Sequence, residues 1–520
     1  MERRGGTARP RLARGAVVLW CTLLLAACAG AGPRVDAGPA VVPAGLERFY
    51  AQTLEWGPCV GFAATDEERA DYQQPSLECA RLDVPLDYAA PEGRLASVAV
   101  MRVRTRSAER IGSLVLNPGG PGGSGLSFVA GWAGDSLDGG PFDVVGFDPR
   151  GVGASTPQLS CATPPERDAD RADTDMDPSP EGVAQTEAEN RRYAERCIEL
   201  SGGLDVLANA GTRDVVRDLD VLRAVLGDRA LTYVGFSYGT RIGALYAEAF
   251  PANVRAMVLD GAVDPAQSAA ESSLAQIAGF QRAFEAFATE CAAWPSCPLG
   301  VDPAAATGAF QRLTRPLIAA PVAVGARTLS YTDAVSAVIS SMYRSTEWPR
   351  LADALSALAA GNGAPLLQMA DEWQDFANGG YERPEGALQV VNCLDGDLVT
   401  DRATVADQAA KELAAAPFAD PGSGPVAALG ACAFLPVVPS NTPHELRVEG
   451  LPPTLVVSTT GDAATPYEAG VALAAALQGV LLTVEGDDHT AFLSNACVDE
   501  IVVRYLADLE LPAAGARCAR

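Results

Sequence analysis

Short strand-like runs alternate with longer helix-like ones along most of the chain. Residues 96–104 (ASVAVMRVR) and 111–117 (IGSLVLN) place apolar side chains at alternate positions, the period of a strand. Residues 143–147 (DVVGF), 231–234 (LTYV), 257–260 (MVLD), 454–459 (TLVVST) and 479–484 (GVLLTV) are shorter apolar runs and predict further strands. Residues 212–226 carry apolar positions at helical spacing, with Thr212 as the expected N-cap, and 241–248 and 498–508 predict two more helices. From 265 to 385 the patterns are mainly helical, for example at 274–288 and 351–360. Residues 162–190 are acidic and Pro-rich and predict a surface excursion. Strands alternating with helices imply a mostly parallel α/β sheet, and the helical block implies an insertion over one edge of it.

Composition changes this picture little. With 520 residues, 48% hydrophobic and 20% charged, the chain has the material of a globular core. The length allows about three domains or one large α/β domain with an insertion. Disordered, collagenous, coiled-coil and polytopic membrane classes are excluded. A net charge of −26 argues against nucleic acid as a partner, since counterion displacement needs clustered cations.

The N-terminus reads as an address. Arg3, Arg4, Arg9, Arg11 and Arg14 precede an apolar run, 16–27, that ends Leu25-Ala26-Ala27-Cys28. The run suits a signal peptide and is too short for a spanning helix. Small residues directly before a cysteine resemble the bacterial lipoprotein signal, which makes Cys28 the expected lipid anchor and new N-terminus. An ordinary secretory signal, with Cys28 incidental, is the alternative. Arg3-Arg4 hints at twin-arginine export, without support from the residues that follow. Removing 1–27 takes away five Arg and one Glu, so the exported chain would carry −30. Residues 29–45 are rich in Gly, Pro and Ala and read as a tether, placed here at 28–50. Setting aside Cys21 and Cys28, ten cysteines remain, an even number that in an exported chain reads as disulfides rather than metal ligands. Pairing between sequence neighbours is expected, because each bridge then lies within one local segment.

The candidate chemistry centres on Gly235-Phe236-Ser237-Tyr238-Gly239, a G-x-S-x-G motif between an apolar strand and a helix. Glycines on either side permit a tight strand-to-helix turn that exposes the Ser237 hydroxyl as a nucleophile. A base should follow late in the chain, after the last strand, and only two histidines exist. His489, in Glu485-Gly486-Asp487-Asp488-His489, has that position; His444, in a polar turn, reads as a surface residue. The acid should end the preceding strand, which selects Asp462, with Asp260, Asp487 and Asp488 as rivals. The order Ser237, Asp462, His489 is that of α/β-hydrolases. The glycine-rich stretch 118–125 after a strand suits an oxyanion pocket made by the amides of Gly120 and Tyr238. It lacks the dinucleotide and P-loop patterns, and neither a metal nor an organic cofactor is expected.

Asn117-Pro118-Gly119-Gly120-Pro121-Gly122, Val145-Gly146-Phe147-Asp148-Pro149-Arg150-Gly151, Gly235-Phe236-Ser237-Tyr238-Gly239-Thr240 and Asp462-Ala463-Ala464-Thr465-Pro466 occur in one order. That set resembles the exported tripeptidyl-aminopeptidase family of actinobacterial α/β-hydrolases, relatives of proline iminopeptidase. It is most similar to the cell-envelope lipoprotein serine peptidases of mycobacteria and their kin. The resemblance runs from about Trp56 to Cys518. It implies a hydrolase core over 51–264, a mainly helical lid over 265–430, and a C-terminal part, 431–520, carrying acid and base. The family often has proline after the acid; this chain has Ala463.

The resemblance implies a serine exopeptidase that removes three-residue units from free N-termini of peptide or protein substrates, in the cell envelope and lipid-anchored to the membrane. Asp395 is a candidate to receive the substrate ammonium, the alternative being a plain surface carboxylate. A carboxylesterase or lipid hydrolase, or a serine endopeptidase, would use the same triad. A non-catalytic binding platform would not need it.

Overall fold

The computed structural model describes residues 42–132, 140–173 and 176–520. The proposed signal peptide and Cys28 lie outside the described residues.

Nine strands form one sheet: β1 Leu77–Pro85, β2 Leu95–Val103, β3 Gly112–Asn117, β4 Phe142–Asp148, β5 Leu231–Phe236, β6 Val254–Asp260, β7 Leu455–Thr459, β8 Val480–Val484 and β9 Arg517–Cys518. Their spatial order is β1-β2-β4-β3-β5-β6-β7-β8-β9. β1 pairs antiparallel with β2, and β2 with β4; every other neighbouring pair is parallel. β3, β4, β5 and β7 are buried along their whole length, because helices cover both faces of a parallel sheet. This is why the runs of β4, β5 and β7 read as short apolar stretches rather than alternating ones. One face packs on the helices Thr212–Val225, Tyr238–Ala249 and Tyr467–Ala476, and the other on Gly125–Trp132 and Ala496–Asp508.

The insertion is mainly helical, with two short hairpins, Val322–Val324 with Arg327–Leu329 and Phe376–Ala377 with Gly380–Tyr381, and has a core of its own. Phe280, Phe284, Phe287, Phe310, Trp348 and Phe418 are buried together, with Phe284 stacked on Phe418 at 5.1 Å. Ala463 and Ala464, directly after Asp462, belong to the same cluster. The helix Ala387–Asp395 is different, since Val390, Val391 and Leu394 pack into the main core beneath.

Two expectations need adjustment. Residues 162–190 lie mostly at the surface, as expected, but are largely helical: they form Pro164–Ala172 and about the first half of Pro180–Leu200. Arg171, 9% exposed, bonds the buried carboxylate of Asp333 at 2.5 Å, so an ion pair far apart in sequence fixes a segment whose composition looked solvated. Thr212 is not the N-cap of its helix, because Gly211 is, and the Thr212 hydroxyl is used elsewhere.

Five disulfides join Cys59–Cys79, Cys161–Cys197, Cys291–Cys297, Cys393–Cys432 and Cys497–Cys518, all sequence neighbours. Among the described residues no helix is long and apolar enough to cross a membrane.

Candidate active site

Ser237 sits between the end of β5 and the helix Tyr238–Ala249, at φ +54° and ψ −125°. A non-glycine residue there carries about 1–3 kcal/mol of strain and persists only if its surroundings fix it. They do: Ser237 N–H donates to the Asp260 carbonyl at 2.9 Å, and its own carbonyl accepts from Thr240 N (2.8 Å) and Oγ1 (2.6 Å). The flanking glycines are sterically required. A Cβ on Gly235 would stand 2.3 Å from the Gly239 carbonyl oxygen, and one on Gly239 would stand 2.7 Å from that of Asn117.

The loop after β3 lies against this turn. Gly119 has φ +96°, and a Cβ there would meet the Phe236 carbonyl at 2.5 Å and Tyr238 N at 3.0 Å. The Gly119 amide donates to Asn117 Oδ1 at 3.0 Å and is thus already used, and Gly120 follows it in the loop. Tyr238 N–H is the first of its helix, where the helical pattern supplies no acceptor and the dipole favours negative charge.

Asp462, 2% exposed, follows β7, and His489, 8% exposed, follows β8. His489 Nδ1 is 2.9 and 3.0 Å from the two Asp462 oxygens. Asp462 also accepts from the amides of Ala464 and Thr465 and from Thr465 Oγ1, each at 2.9 Å. With its proton on Nδ1, the ring leaves Nε2 as the basic atom. The imidazole stands over the turn after β6: a Cβ on Gly261 would be 3.1 Å from His489 Cε1. The carbonyl just before that turn, Asp260 O, holds Ser237 N, so His489 and Ser237 share one strand end.

The rival acids have other partners. Asp260, fully buried, accepts from the amides of Ala491 and Phe492 at 2.9 and 2.7 Å, and burial pushes its carboxyl up to about 6. Asp488 accepts from Ser345 N and Oγ, both at 2.7 Å. His489 N–H donates to the Tyr343 carbonyl at 2.8 Å, and the Tyr343 ring meets the imidazole edge-on at 5.2 Å. The insertion thus forms one wall around His489. Sequence reasoning missed Tyr343 and Thr465; only Thr465, three residues after Asp462, had a local signal, that of a turn closed on a carboxylate.

His444 lies apart. Its ring bonds the Thr442 carbonyl at 2.8 Å and Glu248 at 2.9 Å, with the side chain 39% exposed. Asp395 is neither at the surface nor in the cleft. It is 1% exposed, and both its oxygens accept from Thr212. A substrate ammonium would have to displace Thr212, so Asp395 is withdrawn as an amine anchor.

A cavity of about 1000 Å³ opens from the glycine loop at Pro121, Gly122 and Gly123. Glu385 lines it, accepting from the Tyr193 hydroxyl at 2.8 Å and ion-paired with Arg167 at 3.7 Å, with 44% of its side chain exposed. Trp373 and Leu388, 48% and 55% exposed, give the same cavity two apolar walls. Among the described residues no cluster of His, Cys, Asp and Glu is arranged to hold a metal ion.

Comparison with known proteins agrees with this geometry. The family model for the alpha/beta hydrolase fold matches residues 112–496. Serine protease Hip1 of Mycobacterium tuberculosis is 42% identical, over 98% of this chain and 99% of its own length. Carboxylesterase B of the same organism is 41% identical over 90% of both chains. Tripeptidyl aminopeptidase of Streptomyces lividans is 33% identical over 90% of this chain and 86% of its own. The chain therefore belongs to the alpha/beta hydrolase family and is a serine hydrolase of the branch that holds these actinobacterial proteases and esterases.

Proposed function

We propose that Ser237 is the nucleophile, His489 its base and Asp462 the acid, acting on short peptides that enter with a free amino terminus. Ser237 Oγ attacks the scissile carbonyl as His489 Nε2 takes its proton, and the oxyanion is met by the amides of Gly120 and Tyr238. The imidazolium, steadied by Asp462, then protonates the leaving amine. Water hydrolyses the acyl-enzyme by the reverse exchange.

Glu385 is the observation that carries the peptide reading. It is a half-exposed carboxylate in a cavity that begins at the glycine loop, with Arg167 Nε 3.7 Å from one of its oxygens, so an entering ammonium would share it with that guanidinium. A free ammonium bonded there gains roughly 1.5–3 kcal/mol that a capped one lacks. Acetylating a tripeptide substrate, or replacing Glu385 by Gln with the free-amine substrate, is therefore expected to lower kcat/KM about ten- to a hundredfold. Equal rates for capped and free peptides would remove the exopeptidase reading. Removal of three residues at a time, as the family resemblance implies, is read from the mass of the released product.

A second reading, ester hydrolysis or proteolysis without N-terminal preference, is favoured by the higher identity to the proteins named serine protease and carboxylesterase. An apolar cavity of about 310 Å³, lined by Ile277, Phe280, Ile339, Leu413 and Phe418, supports it too. Phe280 lies 5.7 Å from the Tyr343 ring that meets His489, so an acyl chain has a nearby apolar wall.

For location, we propose export and lipid attachment at Cys28, supported by Leu25-Ala26-Ala27-Cys28 and by five disulfides. The wild-type protein is expected in the membrane fraction and Cys28→Ala outside it. An unmodified N-terminus elsewhere within residues 22–35, seen by mass spectrometry, rules the anchor out.

A further inference from the structure

The helix Ala387–Asp395 touches both sides of the oxyanion pocket. At its first residue, Ala387 Cβ is 3.3 Å from where a Cβ on Gly122 would lie, so the glycine loop rests directly on it. At its last residue, Asp395 accepts from Thr212 N at 3.1 Å and from the Thr212 hydroxyl. That hydroxyl is also 2.5 Å from the hydroxyl of Tyr238, the residue whose amide is the second oxyanion donor. Counting protons sets the direction. A carboxylate only accepts, so the single Thr212 proton goes to Asp395, and Tyr238 must donate to Thr212. Arg241, one turn further along the Tyr238 helix, donates to the Asp395 carbonyl at 2.9 Å. The helix is itself pinned by Cys393–Cys432 and by its apolar face in the main core.

We propose that Asp395, acting through Thr212, is a positioning residue for the oxyanion pocket. The chain Tyr238–Thr212–Asp395 fixes the first residue after the strained Ser237 turn and so aims the Tyr238 amide. The same helix supports the loop that carries Gly120. This rests on the reading of Ser237 and Tyr238 given above. An oxyanion donor is effective only at bonding distance from where the charge develops, and a shift of 1 Å can cost about a hundredfold. A buried carboxylate with no exposed face, bonded to a threonine that bonds the elbow, acts on catalysis without meeting the substrate.

The test uses the full chain, p-nitrophenyl butyrate as substrate and an alkyl trifluoromethyl ketone, whose adduct with serine carries an oxyanion. Asp395→Asn and Thr212→Val are expected to lower kcat about ten- to a hundredfold with KM within about twofold. The ketone's Ki should rise by the factor that kcat/KM falls. Thr212→Ser, which keeps the hydroxyl, should restore both. Tyr238→Phe, which keeps the ring and its packing, should reproduce the loss. Titration with a fluorophosphonate counts intact sites. Unchanged Ki at the remaining sites, with the loss of rate explained by fewer titratable sites, overturns the proposal, as does wild-type kcat in all three variants. Turnover retained by Ser237→Ala would instead strike the underlying assignment.

Discussion

Ser237→Ala is expected to lower turnover by roughly four to six orders of magnitude, the scale on which a serine triad fails when its nucleophile is removed. What remains should come from the oxyanion pocket and substrate binding. Folding should be unaffected, because Ser237 is held through its main-chain N–H and carbonyl rather than its hydroxyl. Alanine at φ +54° inherits the strain of serine, so the melting temperature should scarcely move. Ser237→Gly should be equally inactive yet more stable, by about 1 kcal/mol, since glycine adopts that conformation freely. Thermal melts beside fluorophosphonate labelling separate the two effects. Near-normal turnover by Ser237→Ala on a substrate the parent hydrolyses would sink the nucleophile assignment.

Much of this arrangement was legible because parallel strands buried on both faces leave short apolar runs, and because the Ser237 turn demands glycine on each side. With only two histidines in the chain, topology alone separated His489 from His444. What escaped reading depends on contacts distant in sequence. β1 alternates over Ala80–Val84, with Arg81 and Asp83 exposed, but loses the period where Cys79 and Ala80 are both buried, and β9 has only two residues. The segment around Arg171 looks like a solvated excursion until Asp333 arrives from the insertion. Asp395 reads as a surface acid because nothing nearby in sequence announces Thr212, 183 positions away. Thr212 likewise resembles an N-cap from its neighbours alone. Local pattern specified the elements; which polar groups meet beneath the site was decided by packing.

Asp462→Asn is expected to cost about four orders of magnitude in kcat with the fold intact. The reason lies in which oxygen is already committed. Oδ1 of Asp462 accepts from the amides of Ala464 and Thr465, so the asparagine carbonyl would take that place. Its NH2 would then occupy the Oδ2 position, 2.9 Å from His489 Nδ1, and leave for the ring N–H only Oδ1, at 3.0 Å and already bonded to two amides. That favours the tautomer with its proton on Nε2, which has no base toward Ser237, and Thr465 Oγ1 loses its acceptor as well. His489→Ala should fail on a similar scale, whereas His444→Ala should keep full activity. The bond to Glu248 raises the His444 pKa, so its stabilisation is present below the ordinary histidine range and fades as pH rises through the raised value. At 39% exposure that pair should be worth less than about 1 kcal/mol, measurable only as a small, pH-dependent change in Tm. Asp260→Asn discriminates the rival acid: its Oδ1 can still accept from Ala491 and Phe492, so kcat should fall far less than in Asp462→Asn. Should Asp260→Asn prove the more damaging of the two, with His489→Ala still inactive, the carboxylate that serves the base lies at the end of β6 rather than after β7.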